Sequence, residues 1–317
     1  MTRPAYIASV LCLFAAPAAA HEDHCAAVAD SVADAGFSDS VTVTCSDSHA
    51  TLTSDTYPDH DMMTGIVATN EQVPVPADYS APILLAPVFS GTPLTRDAAL
   101  GVAVNGVPIY DYTGGGEMTD ADLVHHQAQH DTLQTGQLDV CGGHAGRGDD
   151  YHYHVAPTCM IAQMENAGPD AIIGWAFDGY PIYGDSNPDG SAIKAGSLDV
   201  CNGQTDDTFG YRYHTSPDAP YIVQCLMGVV ADFDQLPRVR PLTATTGGGA
   251  EPGRPPRGGV EDLVFTQNDD GSRSMDYTYE GQDYYIRYAP SDQANCYDYT
   301  TETVTNAGQV MQGEFCR

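Results

Sequence analysis

Positive charge is what this 317-residue chain has least of. Lysine occurs once, at Lys194, and 12 Lys and Arg together face 43 Asp and Glu, for a formal net charge of −31. Such a chain repels nucleic acid and anionic membranes, so neither is expected as a partner. The acids are spread along the sequence rather than run together, which suits a heavily solvated surface of the kind a saline habitat favours. Long apolar runs are also missing: after residue 20 no stretch approaches the roughly 18 apolar residues of a membrane span. The signatures of several common chemistries are absent as well. There is no G-x-S-x-G elbow, no P-loop, no dinucleotide glycine fingerprint and no H-E-x-x-H helix. Gly114-Gly115-Gly116 lacks the lysine of a phosphate cradle and reads as a turn. No C-x-x-C pair occurs, which argues against a zinc ribbon or a thioredoxin-type redox centre. Carboxylates are so numerous that no glycosidase-like pair stands out.

What is present begins with a leader. Arg3, an apolar run from Ile7 to Ala16 and the small residues Ala18-Ala19-Ala20 have the form of a signal peptide over 1–20, cleaved before His21. The run is too short to span a bilayer, so the mature protein is expected to be periplasmic or extracellular. Of the nine cysteines, the leader carries Cys12 and eight remain. An even count in an oxidising space implies disulfides. The natural partners are neighbours in sequence: Cys25 with Cys45, Cys141 with Cys159, Cys201 with Cys225 and Cys296 with Cys316.

Two stretches of the chain resemble each other. Val104-Asn-Gly-Val-Pro-Ile-Tyr110 corresponds to Phe177-Asp-Gly-Tyr-Pro-Ile-Tyr183, Leu138-Asp-Val-Cys-Gly-Gly143 to Leu198-Asp-Val-Cys-Asn-Gly203, and Tyr151-His-Tyr-His154 to Tyr211-Arg-Tyr-His214, in the same order. Most of these segments read as short strands, rich in Val, Ile and Tyr and bounded by turn residues. Asn105-Gly106 and Asp178-Gly179 mark tight turns. The expected fold is therefore mainly β, with α+β as the variant: a disulfide-braced domain of two pseudo-symmetric halves, about 100–160 and 173–228, within 54–235. Residues 21–53 read as a helix, His24 to Ala35, and a strand, Val41 to Cys45. Thr119 to Thr132 reads as a second helix capped by Thr119 or Asp120. Residues 236–259, rich in Pro, Gly and Arg, read as a linker or surface loop, and 260–317 as a strand-rich segment.

The alternation in Tyr151-His-Tyr-His154 sends both imidazoles to one face of a strand and both phenols to the other, with the two histidines roughly 7 Å apart along the backbone. An H-x-H pair and a third histidine from a nearby loop make a three-nitrogen site suited to copper or zinc. His144 is the natural third ligand, because a disulfide at Cys141 would hold its loop close. His214 is the natural fourth if the halves pack about a dyad. The second copy has Gln204 and Arg212 in place of His144 and His152, so one site is expected rather than two. Against this stands a purely structural reading, in which Tyr and His stack within a tight sheet and bond to backbone or to Asp149 and Asp150. Three other sets remain open. Asp122, His126 and His130 at four-residue spacing would share a helix face. His21 would be a mature N-terminus able to chelate copper through its amine and ring. His60 could join or support the main cluster.

Taken in order, these motifs resemble the YHYH protein family of exported bacterial and eukaryotic proteins. Cys141-Gly-Gly-His144, Tyr-His-Tyr-His154 and Asp178-Gly-Tyr-Pro-Ile-Tyr183 carry the resemblance. Pro58-Asp-His60 with Gly65 stands upstream, Pro220-Tyr221 with Cys225 and Gly228 closes it, and together they cover roughly 54–230. The resemblance implies little about activity. Residue chemistry points to an exported metal-binding protein whose partner is the ion. A metal-dependent oxidoreductase or hydrolase with an open coordination position, and a surface module in which the motif only packs, are the alternatives. Whether the protein is an enzyme is left undecided by the sequence.

Overall fold

A computed structural model describes residues 18–60, 62–63, 66, 74, 77–145, 150–233, 236, 261–293, 296–303 and 308–316. The chain is mainly β: among the described residues there are eighteen strands and three helices. Helix α1 (Ala18–Asp34) leads, followed by β1 (Thr42–Cys45), β2 (His49–Ser54) and β3 (Tyr79–Leu84), which form a three-stranded antiparallel sheet. The helix stops where glycine allows it to. Gly36 takes φ +88°, its N–H bonds Ala33 O, and the Phe37 N–H bonds Val32 O, the two-bond helix end that favours glycine. The cleavage point expected before His21 falls within α1, and residues 1–17 of the expected leader lie outside the described residues.

Next come β4 (Phe89–Leu94), β5 (Gly101–Ala103), β6 (Pro108–Ile109), α2 (Asp120–Leu123), β7 (Gly143–Ala145), β8 (Tyr151–Tyr153), α3 (Thr158–Gln163), β9 (Ile172–Ala176), β10 (Pro181–Tyr183), β11 (Gly203–Asp206), β12 (Gly210–His214) and β13 (Leu226–Gly228). Eight of these strands form the central sheet, in the order β11-β12-β10-β9-β5-β6-β8-β7. β5 and β9 pair antiparallel in the middle, β6 pairs parallel with β8, and β10 pairs parallel with β12. β4 and β13 make a separate two-stranded ladder. Strands β14 (Glu261–Gln267), β15 (Arg273–Tyr279), β16 (Gln282–Pro290), β17 (Cys296–Glu302) and β18 (Val310–Cys316) form an antiparallel meander. Apart from Leu236, the expected linker 236–259 lies outside the described residues.

Burial follows the alternation. Tyr151, Tyr153 and Tyr213 are fully buried, and Trp175 on β9 packs under α1, donating its indole N–H to Ser31 Oγ at 2.9 Å. Disulfides join Cys25 to Cys45, Cys141 to Cys159 and Cys201 to Cys225. Cys296 is also disulfide-bonded, and the strand register sets Cys316 opposite it.

One expected element is much shorter than its sequence suggests. The helix anticipated over Thr119–Thr132 spans Asp120–Leu123 alone. Its start is as read, with the Asp122 carboxylate accepting the Thr119 N–H and hydroxyl at 2.8 and 2.7 Å. Beyond Leu123, however, His125-His126-Gln127-Ala128-Gln129-His130 has no apolar stripe to bury, and a short helix without one is not held together.

Candidate metal site

The site is built on the β7–β8 hairpin. Asp139, just ahead of β7, is buried and serves as its anchor. Its Oδ1 accepts the N–H groups of Cys141 (2.9 Å) and Gly143 (3.1 Å), and its Oδ2 those of Met63 N (2.8 Å) and the Tyr151 hydroxyl (2.8 Å). The Cys141–Cys159 bridge ties the same turn to α3. Gly143 must be glycine, since a Cβ there would come within 2.7 Å of the Tyr151 ring and 2.6 Å of the His152 carbonyl oxygen.

In this register His144 lies directly opposite His152, and the two side chains leave the same face. His154 follows at the end of β8. Their Nε2 atoms converge: His144 to His152 and His144 to His154 both measure 3.1 Å, and one nitrogen from each of the three lies within 4.8 Å of the others. Each ring turns its other nitrogen to a carbonyl. His144 Nδ1 meets Gln137 O at 2.9 Å, His152 Nδ1 meets Asp150 O at 3.0 Å, and His154 Nδ1 meets Asp111 O. A carbonyl only accepts, so each Nδ1 carries a hydrogen and each Nε2 points inward. All three residues are buried. Burial, reinforced by the His152 charge, pushes the His144 pKa down to about 3, and burial likewise holds His154 well below the usual imidazole range. The neutral form, able to donate a lone pair, is thus favoured at His144 and His154. The Tyr110 ring covers His152 at a centroid distance of 4.2 Å.

The phenol face does different work. Tyr151 holds Asp139, while the Tyr153 hydroxyl lies 2.7 Å from His60 Nε2 and accepts the Asn105 amide at 3.0 Å. His60 therefore braces a tyrosine on the side away from the imidazole cluster. It also lies near Cys141 and Cys159, but those two sulfurs are spent on each other in the disulfide.

His214 is not brought to the cluster. It sits on β12, five strand positions from β8 across the central sheet, roughly 24 Å at about 4.8 Å per strand. There its Nδ1 bonds Gly184 O at 2.9 Å and its Nε2 lies 3.0 Å from Gln204 Nε2. The Asp122, His126, His130 set is not on one helix face either. His126 Nε2 pairs with the buried Asp131 at 2.6 Å, and Asp122 is taken by Thr119. The His21 side chain, Gly65 and Asp149 lie outside the described residues. No ligand spacing in the sequence points to Asp139, Gln137, Asp111 or Tyr110. The recurrence of Leu-Asp-Val-Cys at 138–141 and 198–201 was a usable signal for the first of these.

A mainly β, disulfide-braced chain with three convergent imidazoles, two from a Tyr-His-Tyr-His segment and one from the strand facing it, defines the class. Over residues 83–192 the chain matches the family described as YHYH protein. The matched stretch contains His144, His152 and His154 and ends before Gln204, Arg212 and His214. No curated protein and no solved structure matches the chain.

Proposed function

We propose that the β7–β8 hairpin holds one transition-metal ion, copper or zinc, through Nε2 of His144, His152 and His154, in an exported protein of the periplasm or extracellular space. The observation that carries this reading is the direction of the lone pairs. Three rings, each fixed by an Nδ1–H to a carbonyl, aim their remaining nitrogens at one another, an arrangement that needs a proton or a metal ion among them to be favourable. Carbonyl acceptors behind ligating imidazoles are the usual means of fixing a ligand tautomer. The spacing also suits an ion. Two nitrogens about 2.05 Å from one zinc at near-tetrahedral angles stand roughly 3.3 Å apart, against the 3.1 Å seen here. Among the described residues no fourth His, Cys, Asp or Glu joins the three. A coordination position left for a water or small ligand favours, as a second reading, an oxidoreductase or hydrolase at the same centre. Three disulfides support export to an oxidising space, and no helix among the described residues is long and apolar enough to cross a membrane.

Elemental analysis of the tag-free protein beside a His152→Ala, His154→Ala variant tests the proposal. Near-stoichiometric copper or zinc is expected in the wild type and none in the variant, with a wild-type melting temperature that falls on chelation. No metal in either protein, and melting indifferent to added ion, would leave the cluster as architecture.

A further inference from the structure

The β11–β12 hairpin repeats most contacts of the β7–β8 hairpin, and departs from it where the ion would be. Gln204 lies opposite Arg212 as His144 lies opposite His152. Asp199 accepts Cys201 N (2.9 Å), Gly203 N (3.0 Å) and the Tyr211 hydroxyl (2.9 Å), matching the bonds of Asp139 other than that from Met63 N. His214 N bonds Asn202 O at 3.0 Å as His154 N bonds Gly142 O at 3.1 Å. Gln204 Nε2 stands 3.0 Å from His214 Nε2, where His144 Nε2 stands 3.1 Å from His154 Nε2. The amide nitrogen of Gln204 thus takes up an imidazole nitrogen's place, but it donates where the imidazole accepts.

Positive charge is nonetheless present. Arg212 is 1% exposed. Its guanidinium bonds Asn187 Oδ1 at 2.8 Å, which also accepts from Gln204 at 2.7 Å, and pairs with Asp206 at 2.8 Å. Its Nε is buried with no hydrogen-bond partner among the described residues. Nη1 donates to Gly210 O at 3.1 Å, so the terminal nitrogens hold the charge on this hairpin while Nε is left over.

We infer that the β11–β12 hairpin is a metal-type site in which the guanidinium of Arg212 supplies the positive charge in place of a transition-metal ion, and that residues 204 and 212 alone separate it from copper or zinc binding. The inference rests on the metal reading of the β7–β8 hairpin. The full-length protein carrying Gln204→His and Arg212→His is the test, with Zn²⁺ as the probe and a Gln204→His, Arg212→Met protein as control. Expected are one zinc equivalent in the wild type, two in the double-histidine variant, and one in the control. Adding His152→Ala and His154→Ala to the double-histidine variant should remove one equivalent and leave the new one. Wild type and variant both at one equivalent would overturn this inference and leave the first site standing. A control that also gains zinc would assign the gain to the acidic surface and overturn it too. A wild type without zinc would sink the metal reading and this inference with it. If the double-histidine variant unfolds without zinc, cooperative melting restored by zinc supports the inference, and failure to fold with zinc supplied overturns it.

Discussion

Asp178 shows how single buried carboxyls govern this molecule's response to pH. It is fully buried, with Oδ2 accepting the Tyr213 hydroxyl at 2.6 Å and Gly228 N at 2.8 Å. Desolvation outweighs those bonds and raises its pKa from 3.8 to about 6. The folded state therefore holds this proton more tightly than the unfolded chain does. The resulting stability is fully present below about pH 3.8 and is lost as pH rises through about 6, a contribution of about 3 kcal/mol at about 1.4 kcal/mol per pKa unit. Asp178→Asn keeps an oxygen for both strong bonds and removes the titration. Denaturant unfolding from pH 4 to 8 in the presence of chelator should show a shallower decline in the variant, and parallel curves would refute the assignment. His144 works in the opposite sense. Its depressed pKa lends stability above about pH 6.5 that fades as pH falls towards about 3. A second test at this scale is Tyr151→Phe. It removes the one side-chain donor to buried Asp139 among the described residues, with an expected cost of about 1 to 3 kcal/mol in unfolding free energy.

Among the elements, the two disulfide-anchored hairpins invite comparison by removal of their bridges. Serine at both Cys141 and Cys159 should cost on the order of 3 kcal/mol and weaken zinc retention against a competing chelator, because that bridge holds the turn leading into His144. Serine at both Cys201 and Cys225 should cost a similar stability and leave zinc retention unchanged. Equal effects on zinc would show that global loosening, and not local anchoring, governs the site. The same elements show which features a sequence encodes locally and which it does not. His152 and His154 share a face because alternation along a strand is a local property, and His144 joins them through a hairpin closed within a few residues. The bridges Cys141–Cys159 and Cys201–Cys225 were legible because each closes a short loop. His214 was misjudged because its distance from His154 depends on strand order, with β9 and β5 at the centre of the sheet and β8 and β12 towards its two edges. No local pattern encodes that order. The overlong helix at Thr119 has the converse cause: its capping signal is genuine, but capping starts a helix that only a buried face can sustain.

For the molecule as a whole, the net charge of −31 acts on folding and on the proposed ion capture with opposite dependence on salt. Like charges crowded onto a compact surface repel, and folding brings them closer than the extended chain does. Raising ionic strength from 0.01 to 1 M shortens the screening length from about 30 to about 3 Å, so the melting temperature should climb across that range even with no metal present. The same field concentrates cations near the surface and speeds their arrival, an advantage that screening removes. Stopped-flow association of Zn²⁺ with the metal-free protein should therefore slow as sodium chloride is raised, while the melting temperature rises. The pairing of the two trends is the informative part. A rise in both would mean that salt improves the site's order more than it screens the approach of the ion. A melting temperature indifferent to salt would mean that the acids are spaced widely enough for solvent alone to screen them, and that the surface charge serves solubility rather than setting the stability of the fold.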